Sequence, residues 1–214
     1  MTATGRLEAG LIAGVRVRRA CADDRAALEA MFLRCTPATI YRRFHGPVKA
    51  FPASYLTEAL AGVPVHLGLV AVSGSASGPA GGGLDGGARV VALASCRLTD
   101  SSSAAELGVL VEDGWQGRGI GRELLRLLVE YADGGQIPEL HAQVLIEQDW
   151  ILGMLRPYGQ CSSVFRPGVR EVRVQLRPRV DPSHAAGSAG CSGLGGLVVS
   201  RRASGTGRND PVNE

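Results

Sequence analysis

Apolar residues recur along the chain with two different periods, and the places where the period changes mark its elements. Val15-Arg16-Val17-Arg18 alternates apolar and basic side chains, the repeat of a half-buried strand. Leu28, Met31 and Phe32 then follow at helical spacing behind the capping candidates Asp23 and Asp24. Thr36-Pro37 predicts a second helix start, a hydroxyl cap followed by Pro at the first helical position, and this helix runs to about His45-Gly46. Ser54 to Leu60 predicts a third, short helix. Val65 to Val72 and Arg89 to Leu98 are continuous runs rich in Val, Leu and Ala, as expected of strands buried on both faces. Ala104 to Val111 predicts another strand. The helix after it, Arg122 to Asp133, keeps Leu124, Leu127, Leu128 and Tyr131 on one side and its charges on the other, with Gly134-Gly135 as the stop. Leu140 to Ile146 predicts a strand, Glu147 to Leu155 a short helix, and Cys161–Phe165 with Val169–Leu176 a closing hairpin. The order β-α-α-(α)-β-β-β-α-β-α-β-β is that of an α/β domain with a mixed central sheet.

Three stretches fall outside this pattern. Residues 1–13 predict a flexible N-terminal lead. The Gly/Ser-rich stretch 73–88 predicts a long flexible loop between two buried strands, because it holds too little apolar surface to order itself. Residues 179–214 turn to Gly, Ser and Ala and predict a disordered tail, leaving 14–178 as the folded domain.

Composition narrows the partners. The net charge of +3 argues against nucleic acid or an anionic membrane surface. No apolar run approaches the roughly 20 residues needed to span a bilayer, and no signal-peptide pattern opens the chain. The five cysteines form no C-x-x-C pair and join no His cluster at ligand spacing, so no metal is expected and a reducing cytoplasm is the predicted location.

The chemistry concentrates in Gln116-Gly117-Arg118-Gly119-Ile120-Gly121, between a strand and a helix. A glycine-rich turn that opens a helix is an anion site, since its backbone N–H groups lack intrahelical partners and the helix N-terminus adds partial positive charge. No Lys follows the glycines, which excludes a Walker loop, and Gly-x-Gly-x-Gly departs from the dinucleotide fingerprint. The segment does match the acetyl-CoA loop, Gln/Arg-x-x-Gly-x-Gly/Ala, of the GCN5-related N-acetyltransferases (GNAT), and the chain resembles that superfamily over about residues 14–178. A second segment, Thr36-Pro37-Ala38-Thr39-Ile40-Tyr41-Arg42-Arg43-Phe44-His45-Gly46, is similar to the Ser-Pro-x-Ser-x-Tyr-x-Arg-Phe stretch of the bacterial Pat-type protein lysine acetyltransferases.

The resemblance implies a GNAT fold with a V-shaped cleft for acetyl-CoA, opened by a β-bulge for which Gly108 is the candidate. It implies cofactor contacts at Leu110, Val111 and the loop 116–121, with the N–H of Leu110 as the oxyanion donor. Glu106 becomes the candidate general base, an acid inside an apolar strand whose burial would raise its pKa. Tyr41, Arg43 and Phe44 become acceptor-site candidates. The implied activity is N-acetyl transfer from acetyl-CoA to a protein lysine, such as one of an acyl-CoA synthetase. A small amine is the alternative acceptor, and a non-catalytic acyl-CoA-sensing module the alternative function. Two departures stand out. Glu147-Gln148 replaces the family's Glu-Asn, leaving Gln148 as the cofactor candidate, and Trp150 and Ile151 stand near the family's general-acid Tyr, so that water would reprotonate the thiolate. His45, His66 and His141 are expected to be structural, and Cys96 is the one thiol near the site strands.

Overall fold

The computed structural model describes residues 9–62, 66–74, 88–99, 103–134, 137–146 and 150–177, without the side chains of 9–11 and 150. Its centre is one mixed sheet of eight strands: β1 (Ala9–Ile12), β2 (Val15–Arg19), β3 (His66–Ser73), β4 (Arg89–Leu98), β5 (Ala104–Val111), β6 (Glu139–Leu145), β7 (Gly159–Arg166) and β8 (Val169–Leu176), in the order β1-β2-β3-β4-β5-β6-β8-β7. Only the β5–β6 pair is parallel. The helices are α1 (Arg25–Arg34), α2 (Pro37–Phe44), α3 (Ala53–Ala61), α4 (Ile120–Gly134) and α5 (Trp150–Leu155). The expected α/β class and element order are therefore present.

Every residue of β3 is buried, as is β4 from Val90 to Cys96, because these two central strands are covered on both faces. On one face Leu67, Leu69, Val91 and Ala94 pack with Leu124, Leu127 and Leu128 of α4. On the other, Val70, Val72, Val90 and Leu93 pack with Leu28, Met31 and Phe32 of α1, Ile40 of α2 and Leu56 of α3. Leu125 and Val129 are buried too, so the apolar face of α4 is wider than its sequence period indicates.

Two expectations change. Ala9–Ile12 is a strand rather than part of a flexible lead, since it pairs with β2 (Ala9 opposite Val17, Ile12 opposite Val15). The β4–β5 ladder runs in unbroken register from Ala92↔Val111 to Leu98↔Ala105, so Gly108 carries no bulge in it. The loop expected within 73–88 falls largely, and the tail 179–214 wholly, outside the described residues. Among the described residues no helix is long and apolar enough to cross a membrane.

The helical layer is fixed to the sheet by a close approach at Gly68. A Cβ there would lie 2.3 Å from the carbonyl oxygen of Ala59 on α3 and 3.1 Å from Cβ of Ala20. Backbone cannot yield as a side-chain tip can. The Gly68→Ala variant is expected to lose about 1–3 kcal/mol of stability, the cost of overpacking a filled core, as read from the urea unfolding midpoint.

Candidate active site

The cleft begins where two neighbouring strands part. β5 and β6 pair only at Ala104↔Glu139, Ala105↔Leu140 and Glu106↔His141. Beyond Glu106 the ladder stops, and a cleft of about 610 Å³ opens between Leu107–Val111 of β5 and Ala142–Val144 of β6, closed by the turn 116–121, Ile151 and Leu155. This is the V-shaped opening expected, produced by the end of the parallel pairing. A second cavity, of about 620 Å³, lies on the other side of Arg43, Leu107, Gly108, Ala142 and Gln143, which border both.

The turn owes its shape to local backbone chemistry. Gly117 (φ +73°) and Gly119 (φ +82°) are left-handed, and a Cβ at either would meet no neighbour, so glycine is required there by conformation rather than space. α4 starts at Ile120, whose buried side chain anchors the helix N-terminus, and the first-turn residues Ile120, Gly121 and Arg122 border the cleft. Gln116 turns out to be a clamp. Its Nε2 donates to the Val111 carbonyl at 2.9 Å and to Thr39 Oγ1 at 3.0 Å. Arg118 lies over the Trp115 ring, 4.8 Å from its centroid, and does not border the cleft. Arg42 and Arg122 do border it, and sequence reasoning missed both. Helical periodicity puts Arg122 on the polar face of α4, and its place next to the turn is the available signal.

α2 is fastened to the same turn. Thr36 caps it, its Oγ1 accepting from Thr39 N at 3.3 Å behind Pro37 as predicted. Asp113, just before the turn, accepts from Thr36 N, Thr36 Oγ1 and Thr39 Oγ1, all at 2.8 Å. Partial burial pushes the Asp113 carboxyl up, but these hydrogen bonds outweigh it and hold its pKa below the ordinary carboxylate value. Its neighbour Glu112 is buried and bridges Arg34 of α1 (3.0 Å) to Arg89 of β4 (2.9 Å).

The second cavity has a charged floor set by strand register. His66, Arg97, Glu106, His141 and Arg173 stand opposite one another across β3, β4, β5, β6 and β8, and all five line it. Glu106 is 52% exposed and pairs with Arg97 at 2.6 Å. The burial expected from its apolar strand is absent, because its face of β5 looks into this open cavity. His66 is buried, with both ring nitrogens lacking a hydrogen-bond partner among the described residues. Burial holds its imidazole below the ordinary value, against the pull of Glu58, whose Oε2 is 3.8 Å from Nδ1. His45 caps α2 in the left-handed region, and burial likewise lowers its pKa. Of the acceptor candidates, Arg43 and Phe44 line the second cavity, whereas Tyr41 is 48% exposed and lines neither. Leu110 and Val111 line the cleft as expected; Gln148 falls outside the described residues. Cys96 lies in the core with its thiol pushed up to about 12 by burial, so it supplies no thiolate at neutral pH.

The family model of the acetyltransferase (GNAT) family matches residues 71–155, which span β3 to α5 and hence the parted strands and the turn. The fold is of the GNAT type. Solved structures similar to this chain include the GNAT domain of S. lividans PAT, with a TM-score of 0.60 at 23% identity over 76% of this chain and 90% of that one. They also include yncA from Salmonella typhimurium, solved with its cofactor acetyl-CoA (TM-score 0.53, 19% identity, 78% of this chain and 97% of that one), and a domain from Methanocaldococcus jannaschii (TM-score 0.55, 16% identity, 76% and 98%). At these identities the likeness is one of fold. No curated protein matches the chain in sequence.

The Asp113 hydrogen bonds yield a pH-dependent expectation. A carboxyl whose pKa is lower folded than unfolded adds stability that is complete above the unfolded value of about 3.9 and is lost as pH falls through the folded value. Asp113→Ala is therefore expected to lower stability by about 1 kcal/mol at pH 7, given the group's partial exposure, and by progressively less below pH 4. Thermal unfolding of both proteins across pH 3–7 measures this.

Proposed function

We propose that the domain transfers an acetyl group from acetyl-CoA directly to the side-chain amine of a protein lysine. What carries the reading is the meeting of two cavities at Leu107 and Gly108, where β5 leaves β6. One cavity ends in a glycine turn and a helix N-terminus suited to a pyrophosphate. The other is open and lined by charged and hydrogen-bonding side chains. Two substrates entering from opposite sides bring a thioester and an amine together at that boundary, which is the proximity that acyl transfer requires.

The pantetheine lies along Leu110 and Val111; the N–H of Leu110 expected as oxyanion donor is turned to β4 by the ladder register, and the N–H of Val109 on the cleft side meets the carbonyl oxygen as it becomes an oxyanion. Glu106 receives the proton of the attacking amine, directly or through one water. No acyl-enzyme forms, since Cys96 is buried and protonated and borders neither cavity. A lysine side chain is favoured as acceptor by the Thr36–Gly46 segment, whose Arg43 and Phe44 border the second cavity while Tyr41 stands at the surface where a protein partner would rest.

Release of CoA thiol from acetyl-CoA, measured against a panel of an acyl-CoA synthetase and several small amines, tests the reading. The expected result is release that needs the synthetase and falls by about 10²-fold in Glu106→Gln, the scale of a general base, with acetyl-CoA affinity unchanged. Release with a small amine instead would replace the acceptor, and acetyl-CoA binding without turnover on any acceptor would reduce the domain to a sensor.

A further inference from the structure

Arg43 is the residue of α2 that borders both cavities. Its guanidinium rests on Gly108: a Cβ built there would lie 2.1 Å from Nη2 and 2.5 Å from Cζ. The bare glycine therefore makes room for a cation where the thioester and the amine would meet. The Phe44 and Tyr55 rings flank that cation, with centroids 5.0 and 4.9 Å from Cζ. No carboxylate pairs with it among the described residues. Aromatic faces hold a guanidinium in place without cancelling its charge, as an acid would.

Of the acids that line the second cavity, Glu58 lies beside His66, Glu106 pairs with Arg97 and Glu171 with Arg166, so none of them pairs with Arg43. His45 and His66 are both held below the ordinary imidazole value, by burial first and in part by Arg43 itself, and are neutral at pH 7. His141 is matched by Glu139 at 2.6 Å. The Glu58 side chain is half exposed. Arg42 and Arg122 border the cleft but not the second cavity. Nor is a phenol free to act at the boundary: the Tyr55 hydroxyl is engaged with Ser95 Oγ at 2.7 Å, and Tyr158 borders neither cavity.

Acyl transfer creates negative charge first on the carbonyl oxygen and then on sulfur. We propose that Arg43 is a catalytic residue whose guanidinium stabilises the departing CoA sulfur as a thiolate, a role that rests on the transferase reading of the cleft. The amine lone pair forms the N–C bond and the C=O π pair moves to oxygen. When that pair returns, the C–S bond breaks and its electrons stay on sulfur. The thiolate leaves as an anion beside Arg43 and takes a proton from water after release, while the amine's proton goes to Glu106. The same cation repels an ammonium ion, so the acceptor reaches the boundary as a free amine.

The test needs CoA alone and no acceptor. The thiol of bound CoA is titrated by thiolate absorbance in the wild type and in Arg43→Lys, Arg43→Met and Gly108→Ala. Gly108→Ala keeps the arginine but places a methyl group where its flexible end now lies. The wild type is expected to hold the bound thiol about one unit below the free value of about 8.5, the scale of one nearby opposite charge. Arg43→Lys should keep part of the shift, while Arg43→Met and Gly108→Ala should abolish it. CoA affinity at pH 6, where the thiol is protonated, should change by less than about threefold, the mark of an intact cleft. An equal thiol pKa in wild type and Arg43→Met, with CoA bound by both, would overturn the proposal. Failure of the wild type to bind CoA would instead remove the reading of the cleft, and the proposal with it.

Discussion

The parting of β5 from β6 is the constraint on which the rest of the site depends. A sheet normally satisfies each strand's backbone groups along its whole length. Here the parallel ladder ends after Glu106, so β5 from Leu107 to Val111 keeps its pairing to β4 but faces open space on the β6 side. Everything functional is arranged around that exposed edge. The glycine turn lies at its far end, α2 crosses it, and the charged row of the second cavity stands at its near end, where the ladder is still intact.

What the sequence revealed, and what it did not, follows from how local each feature is. The buried strands β3 and β4 were legible because strands covered on both faces must be continuously apolar. The turn was legible because left-handed backbone at Gly117 and Gly119 demands glycine whatever surrounds it. The cap at Thr36 was likewise a matter of neighbouring residues. The charged row was hidden, since His66, Arg97, Glu106, His141 and Arg173 are far apart in the chain and meet only through four separate strand registers.

Gly108 and Glu106 show how a local rule can single out a residue whose surroundings differ from those the rule supposes. Glycine within a strand suggested a bulge, but the missing Cβ accommodates a guanidinium from α2. An acid in an apolar strand suggested burial, but alternate faces of β5 meet different surroundings, and the one bearing Glu106 is open. Ala9–Ile12 was overlooked for a related reason: four residues at the edge of a sheet carry little periodicity, and their pairing to β2 supplies the order.

Asp113, Thr39 and Gln116 link the glycine turn to α2 in a further sense. Through them the cleft turn and the N-terminus of α2 share one set of hydrogen bonds, so opening either segment breaks bonds that hold the other. A ligand that stills the turn also stills the helix that carries Arg43, and a partner that holds the helix also holds the turn. By linkage the two effects are equal in size. Ligands of the two cavities thus favour each other's binding without touching.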